Sequence, residues 1–367
     1  MSHANVSLQE VVDGLRAEGL LPDEADDRAI AVLANMHAVQ PWYIRTMVGF
    51  GAWLASLLLI GFVASIGFVA KGGFLVIGLG SIVAAVILRN RSDNDFMVQS
   101  TLAVSLAGQA LFAFGISEFN LGSGFEAELM VAVIMSTVLF VIFPDRIHRV
   151  LMVLFATISL TLLIYIRELN AIVPFLGPVA AGALVMLYKR YPEIMASGKG
   201  TLVGPLMTGL MLSAFGCLLI STIYVLPELG ASYAFYPRPW ISTVMLGALF
   251  IYLVTDIRPQ FITGTQRFAA PVIDGIAAVV IAAAWAAPGL LLALIVVILG
   301  AASGNRVLIG AGIAFLAVFI STYFYGIQIT MFTKSVTLVA GGVAILLARW
   351  LILKVVATPA QGEPAGV

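Results

Sequence analysis

Residues 323–335 read YFYGIQITMFTKS, with an apolar run before them (307–324) and another after them (335–353). Two tyrosines, a glutamine and a lysine between hydrophobic runs suit a turn at the level of lipid headgroups, where a ring lies in the apolar layer and its polar tip stays wet. Each flanking run is close to the ~20 residues that cross hydrocarbon as a helix. Ten further runs precede this pair, at 47–70, 73–88, 96–116, 127–143, 150–166, 171–188, 202–226, 240–254, 268–287 and 288–303. The expectation is an all-α polytopic transmembrane bundle of about 12 spans, occupying residues 46–354.

Composition agrees. Of 367 residues 61% are hydrophobic and only 10% are charged, against about 25% charged in soluble domains. Lys plus Arg equals Asp plus Glu at 19 each, so no basic excess points to nucleic acid. Twelve spans make the loops alternate sides, which lets the positive-inside rule be counted. With a cytoplasmic N-terminus, only Lys71, Arg167, Arg238 and Lys334 of the 19 basic residues fall outside. A one-span error in the middle would scramble that partition. The count therefore predicts that both termini are cytoplasmic. The tightest turns lie at 71–73 and 288–289.

Residues 1–45 read as a short cytoplasmic amphipathic helical hairpin. Ser7-Leu8-Gln9-Glu10 has the form of a capping box, and Leu8, Val11, Val12 and Leu15 come at helical spacing. A second helix is expected from Pro22, with Asp23, Glu24, Asp26 and Asp27 in its early turns, where the helix dipole favours acids. Trp42, Tyr43 and Arg45 form an interface anchor. The segment has acids and no cleavable signal pattern, so the first apolar run is expected to direct insertion. The tail, residues 355–367, has the composition of a disordered segment.

No catalytic constellation is legible. His3, His37 and His148 have no partner at metal-ligand spacing, and the single Cys217 lies in an apolar run, where it reads as a small core residue. Ser197-Gly198-Lys199-Gly200-Thr201 resembles a phosphate loop but has Glu193 where the first glycine belongs and Gly200 after the lysine. The sequence thus predicts no enzyme, no cofactor and no metal site. Small residues at four-residue spacing, Gly209 with Ser213 and Gly300 with Gly304, are expected to let helices approach closely. Pro174 and Pro178 bracket a short stretch of the sixth span, which is either kinked or broken there.

Two polar groups stand out at membrane depth. Asp274 lies ~9 Å into the ninth span, on the same side as Arg349; the pair is a structural ion pair or a proton or cation site. At the outer level, Gln109, Glu118, Glu126 and Glu128 meet Tyr323, Tyr325, Gln328, Thr333, Lys334 and Ser335. Lys334 opens the twelfth span, where the helix dipole disfavours a cation. An anion site formed with Thr333 and Ser335, or an internal carboxylate partner, is expected there.

The stretches GAWLASLLLIGF (51–62), NRVLIGAGIAFLAVFISTYFY (305–325) and TMFTKSVTLVAGGVAILLAR (330–349) resemble domain-of-unknown-function family 4401 of bacterial polytopic membrane proteins. The resemblance implies an inner-membrane protein with no established activity. It also implies neighbourhood with a second membrane-associated family, named for its GDYXXLXY signature, and so a protein partner of that type. The bilayer is the other partner. Passage of a small solute or ion is the leading functional expectation, and a non-transporting scaffold or assembly subunit is the alternative.

The topology is testable by labelling intact cells with an impermeant thiol reagent. A cysteine introduced at Ser123 should react, whereas cysteines at Asn94 and Gly198 should stay shielded. Reaction at Asn94 would invert the predicted orientation.

Overall fold

A computed structural model of the chain describes residues 72–91, 95–119, 125–198, 200–223, 238, 240–261, 269–285, 287–326 and 330–333, with scattered positions within 47–65 and 335–350. All secondary structure among them is helical. The expected hairpin at 1–45, the tail at 355–367 and the turn at 327–329 lie outside the described residues.

Among the described residues eleven continuous helices run in this order: α1 Gly73–Arg91, α2 Asp95–Ser117, α3 Glu126–Ile142, α4 Arg146–Ile166, α5 Val173–Lys189, α6 Tyr191–Ala196, α7 Gly200–Ile223, α8 Trp240–Phe261, α9 Ala269–Ala283, α10 Pro288–Ala302 and α11 Arg306–Gly326. A 3-10 turn, Asn170–Ile172, leads into α5. All but the short α6 coincide with predicted apolar runs, because a helix satisfies its own backbone groups wherever water is excluded. Six helices among the described residues are long and apolar enough to cross a membrane: Gly73–Arg91, Phe96–Ser117, Arg146–Ile166, Asn170–Lys189, Gly200–Ile220 and Trp240–Arg258. Pro271–Ala283, Pro288–Ala302 and Arg306–Thr322 are shorter apolar helices. The protein is a membrane-embedded helical protein. Its exposed apolar side chains, such as Val76, Ile134, Val179 and Val244, suit contact with lipid and not water.

The chain forms two compact units, Met1–Phe68 with Ser81–Ala107, and Val69–Gly80 with Gly108–Val367; the division runs through α1 and α2. In the first, the hydroxyl of buried Thr101 donates to the Met97 and Val98 carbonyls (2.8 and 3.0 Å), so its own helix satisfies it.

In the second unit, α3 and α4 form a hairpin closed by residues 143–145, α7 packs on α4 and α5, α8 packs on α5 and α10, and α10 and α11 form a second hairpin. The apolar core runs through Leu184, Phe215, Leu246, Leu292 and Phe319. Close helix approach depends on missing side chains. A Cβ at Gly300 would fall 2.7 Å from the Ile309 backbone nitrogen, one at Gly209 would meet Val153, and one at Gly289 would enter the Phe319 ring. Gly304 plays another part: its φ of +66° makes the turn between α10 and α11.

The proline pair leaves α5 continuous. Pro174 stands at its start and Pro178 inside it. Pro178 has no N–H to donate to the carbonyl four residues back, which leaves the Pro174 oxygen without its helical donor. Buried Ser242 of α8 fills that vacancy, its Oγ donating to the Pro174 carbonyl at 2.6 Å. Ser242→Ala should therefore destabilise the protein by about 1–3 kcal/mol, the cost of an unsatisfied buried carbonyl. Denaturation in detergent checks this, and an unchanged transition would show that the bond contributes nothing net.

Candidate functional site

At the end of the second unit where α4, α7 and α11 begin, two adjoining cavities open between helices. The larger, about 580 Å³, is walled by α4, α5, α7 and α11 and the α10–α11 turn. Its inner lining is mainly apolar, with Leu184, Met207, Met211, Leu308 and Ala311, and the hydroxyl of Thr208 there donates to the Gly204 carbonyl at 3.1 Å. Its mouth is polar, with Arg146, Tyr188, Tyr191, Ser303 and Asn305. The smaller, about 390 Å³, shares Arg146, Tyr191 and Gly204 and adds Arg149 and Thr201. Among the described residues no carboxylate lines either cavity.

Several of these groups are committed to the fold. Ser303 Oγ donates to the Leu299 carbonyl at 2.7 Å, so Tyr188 Oη donates to it at 3.2 Å. Asn305 Oδ1 caps α11 by accepting from the Val307 and Leu308 amides (3.1 and 3.2 Å). The Arg149 guanidinium donates to the carbonyls of Phe140 and Thr201, both at 3.1 Å, which ties the end of α3 to the start of α7. The Arg146 guanidinium, the Tyr191 hydroxyl and the Asn305 side-chain amide have no partner among the described residues. One turn beyond Met211 and Ala311, Phe215 of α7 stacks on Phe315 of α11 (3.7 Å, 9°) and lies 5.9 Å from Phe319. Residues i and i+4 share a helix face, so this stack lies one turn beyond the lining of the recess.

The predicted polar residues are distributed differently. Asp274 pairs with Arg258, not Arg349: Nη1 lies 3.2 and 3.4 Å from the two carboxylate oxygens. The reason is that α8 continues past the predicted end at Val254 to Phe261 and carries Arg258 to the start of α9. Arg349 is exposed, without a partner among the described residues. Glu126 pairs with Arg167 at 2.8 Å, and Glu118 accepts the Gly72 amide at 3.3 Å. Glu128 Oε2 is buried with no partner among the described residues. Gln109 does not join these acids. Its Nε2 lies 3.4 Å from Nε2 of wholly buried His148, at the start of α4, whereas Glu126 meets the end of that helix. His148 in turn stacks on Phe143 at 4.0 Å. Thr333 hydrogen-bonds to Thr330 at 2.8 Å and Ser335 to the Met331 carbonyl at 3.0 Å. Gln328, Lys334 and the side chains of Tyr323 and Tyr325 lie outside the described residues.

One cluster went unseen in the sequence. Lys189 Nζ lies 2.7 Å from both Asp256 Oδ1 and Tyr252 Oη, joining the ends of α5 and α8. The i, i+4 spacing of Tyr252 and Asp256 placed both on one helix face and was the available signal.

Residues 41–355 match the profile of a domain of unknown function, DUF4401. The chain belongs to the DUF4401 family. No curated protein and no solved structure matches it. The match covers α1 to α11, and so the whole recess of this DUF4401 protein.

The partner of Asp274 can be checked by double-mutant cycles on stability. Asp274→Asn should couple to Arg258→Ala by up to ~1 kcal/mol, as for a half-exposed pair, and not to Arg349→Ala. Coupling to Arg349 instead would contradict the observed pairing.

Proposed function

We propose that this DUF4401 protein is a non-enzymatic inner-membrane protein of about twelve crossings, with cytoplasmic termini, that passes a small solute or ion. The recess is its cytoplasmic vestibule. The observation that carries this reading is a cavity of about 580 Å³ entered past Arg146 and Asn305, with the Phe215–Phe315 stack one turn beyond its lining. Its volume falls within the ~300–1,000 Å³ of small-molecule sites. The recess opens at the end bearing Arg146, Arg149, Arg190 and Arg306, which the positive-inside rule assigns to the cytoplasm. Alternating access needs such a vestibule closed on its far side, with helices that can part. The scaffold reading rests on residues 1–45, which lie outside the described residues.

Reconstitution tests the proposal. Proteoliposomes should show proton, cation, anion or neutral-solute permeability above that of protein-free vesicles. Ala311→Trp, which fills the recess from α11, should remove that excess. Wild-type permeability equal to that of empty vesicles across the whole panel would sink the passage reading.

A further inference from the structure

We infer that the recess binds an amphipathic anion, with a phosphate or carboxylate head at its mouth and an apolar body against its inner wall. This names the ligand class of the vestibule just proposed and rests on that assignment. Charge at the mouth selects the head. Two arginines line the joined cavities and, among the described residues, no carboxylate does. The nearest acids along the chain are elsewhere engaged or outside the lining: Asp145 is buried and accepts the His148 amide at 2.8 Å, and Glu193 lies on α6. Arg149 commits two of its donors to carbonyls, which orients the guanidinium, and Asp145 offsets part of its charge. Arg146 holds a free fork of donors, and such a fork matches an oxyanion with two parallel hydrogen bonds. The Asn305 amide and the Tyr191 hydroxyl stand at the same mouth, and both can donate to a head group.

The inner wall selects the body. Leu184, Met207, Met211, Leu308 and Ala311 form that wall, and a bare phosphate would leave it wetted. Two methionines make it adaptable, since a thioether chain fits varied apolar shapes. An alkyl or acyl body of moderate length covers it. The same chemistry is offered by an anionic membrane lipid and by a free amphiphilic solute.

Binding is measured on the full-length protein in phosphatidylcholine nanodiscs, with hexyl phosphate as probe and with no flux readout. Wild type should bind hexyl phosphate, while hexanol and inorganic phosphate bind at least about tenfold more weakly. Arg146→Gln should weaken hexyl phosphate binding about ten- to a hundredfold, the worth of hydrogen bonds to a charged group, and Arg146→Lys should restore part of it. Arg146 is exposed, so the unliganded melting temperature should not move. Equal affinity for hexanol, or an unaltered affinity in Arg146→Gln, overturns the inference. Repeating the titration in phosphatidylglycerol discs separates the sources: lost probe binding identifies the lipid as occupant, and retained binding identifies a free solute, and either result supports the shared chemistry. Hexyl phosphate binding without permeability would retire the passage reading and leave this one standing. Permeability without hexyl phosphate binding would do the reverse.

Discussion

Inside hydrocarbon no water can satisfy a backbone carbonyl or amide, and each one left bare costs several kcal/mol. The polar side chains of this protein are disposed around that constraint. Ser242 serves the carbonyl that Pro178 orphans, Thr243 serves the Trp285 carbonyl at 3.0 Å, and Asp145 and Asn305 serve amides at the starts of α4 and α11. Arg149 serves two carbonyls at once. These side chains are therefore primarily backbone partners, and the helix ends they complete define where each element stops. Arg146 and Tyr191, left over from that duty among the described residues, are available to meet a ligand.

Helix positions were legible because apolar runs and membrane helices share one cause. Predicted runs at 73–88, 96–116 and 307–324 overlie α1, α2 and α11 almost end to end. Crossing number was less legible, since α9 and α10 hold 15 residues each, ~22 Å of helix, against ~30 Å of hydrocarbon. The ion pairs show why depth counting fails locally. Counting gives Asp274 the partner Arg349 because it treats the charged stretch after Val254 as loop, yet Thr255, Asp256 and Arg258 continue α8. Counting along its own span likewise puts Gln109 in the outer half of the third span, which supposes that all spans begin at one level. Its meeting with His148 brings it to the start of α4, which no apolar pattern records.

The recess was illegible for a different reason. Its lining is drawn from Arg146, Leu184, Thr208 and Ala311, far apart along the chain and individually ordinary. No spacing rule links them. Helix packing set by small residues positions them, with Gly209 against α4 and Gly300 and Gly312 between α10 and α11. The sequence shows those glycines, but not which backbones they admit.

The Arg149 clamp also has a mechanical meaning. By fastening the end of α3 to the start of α7, it makes α3, α4 and α7 a single stiff block. Backbone-tight glycine contacts make α10 and α11 a second. Phe215 of the first block stacks on Phe315 of the second, one turn beyond the lining of the recess and within the same apolar core. The clamp therefore fixes one wall of the recess and the glycine contacts fix another, so backbone groups set the width of the opening and the side chains that line it decide only what it meets.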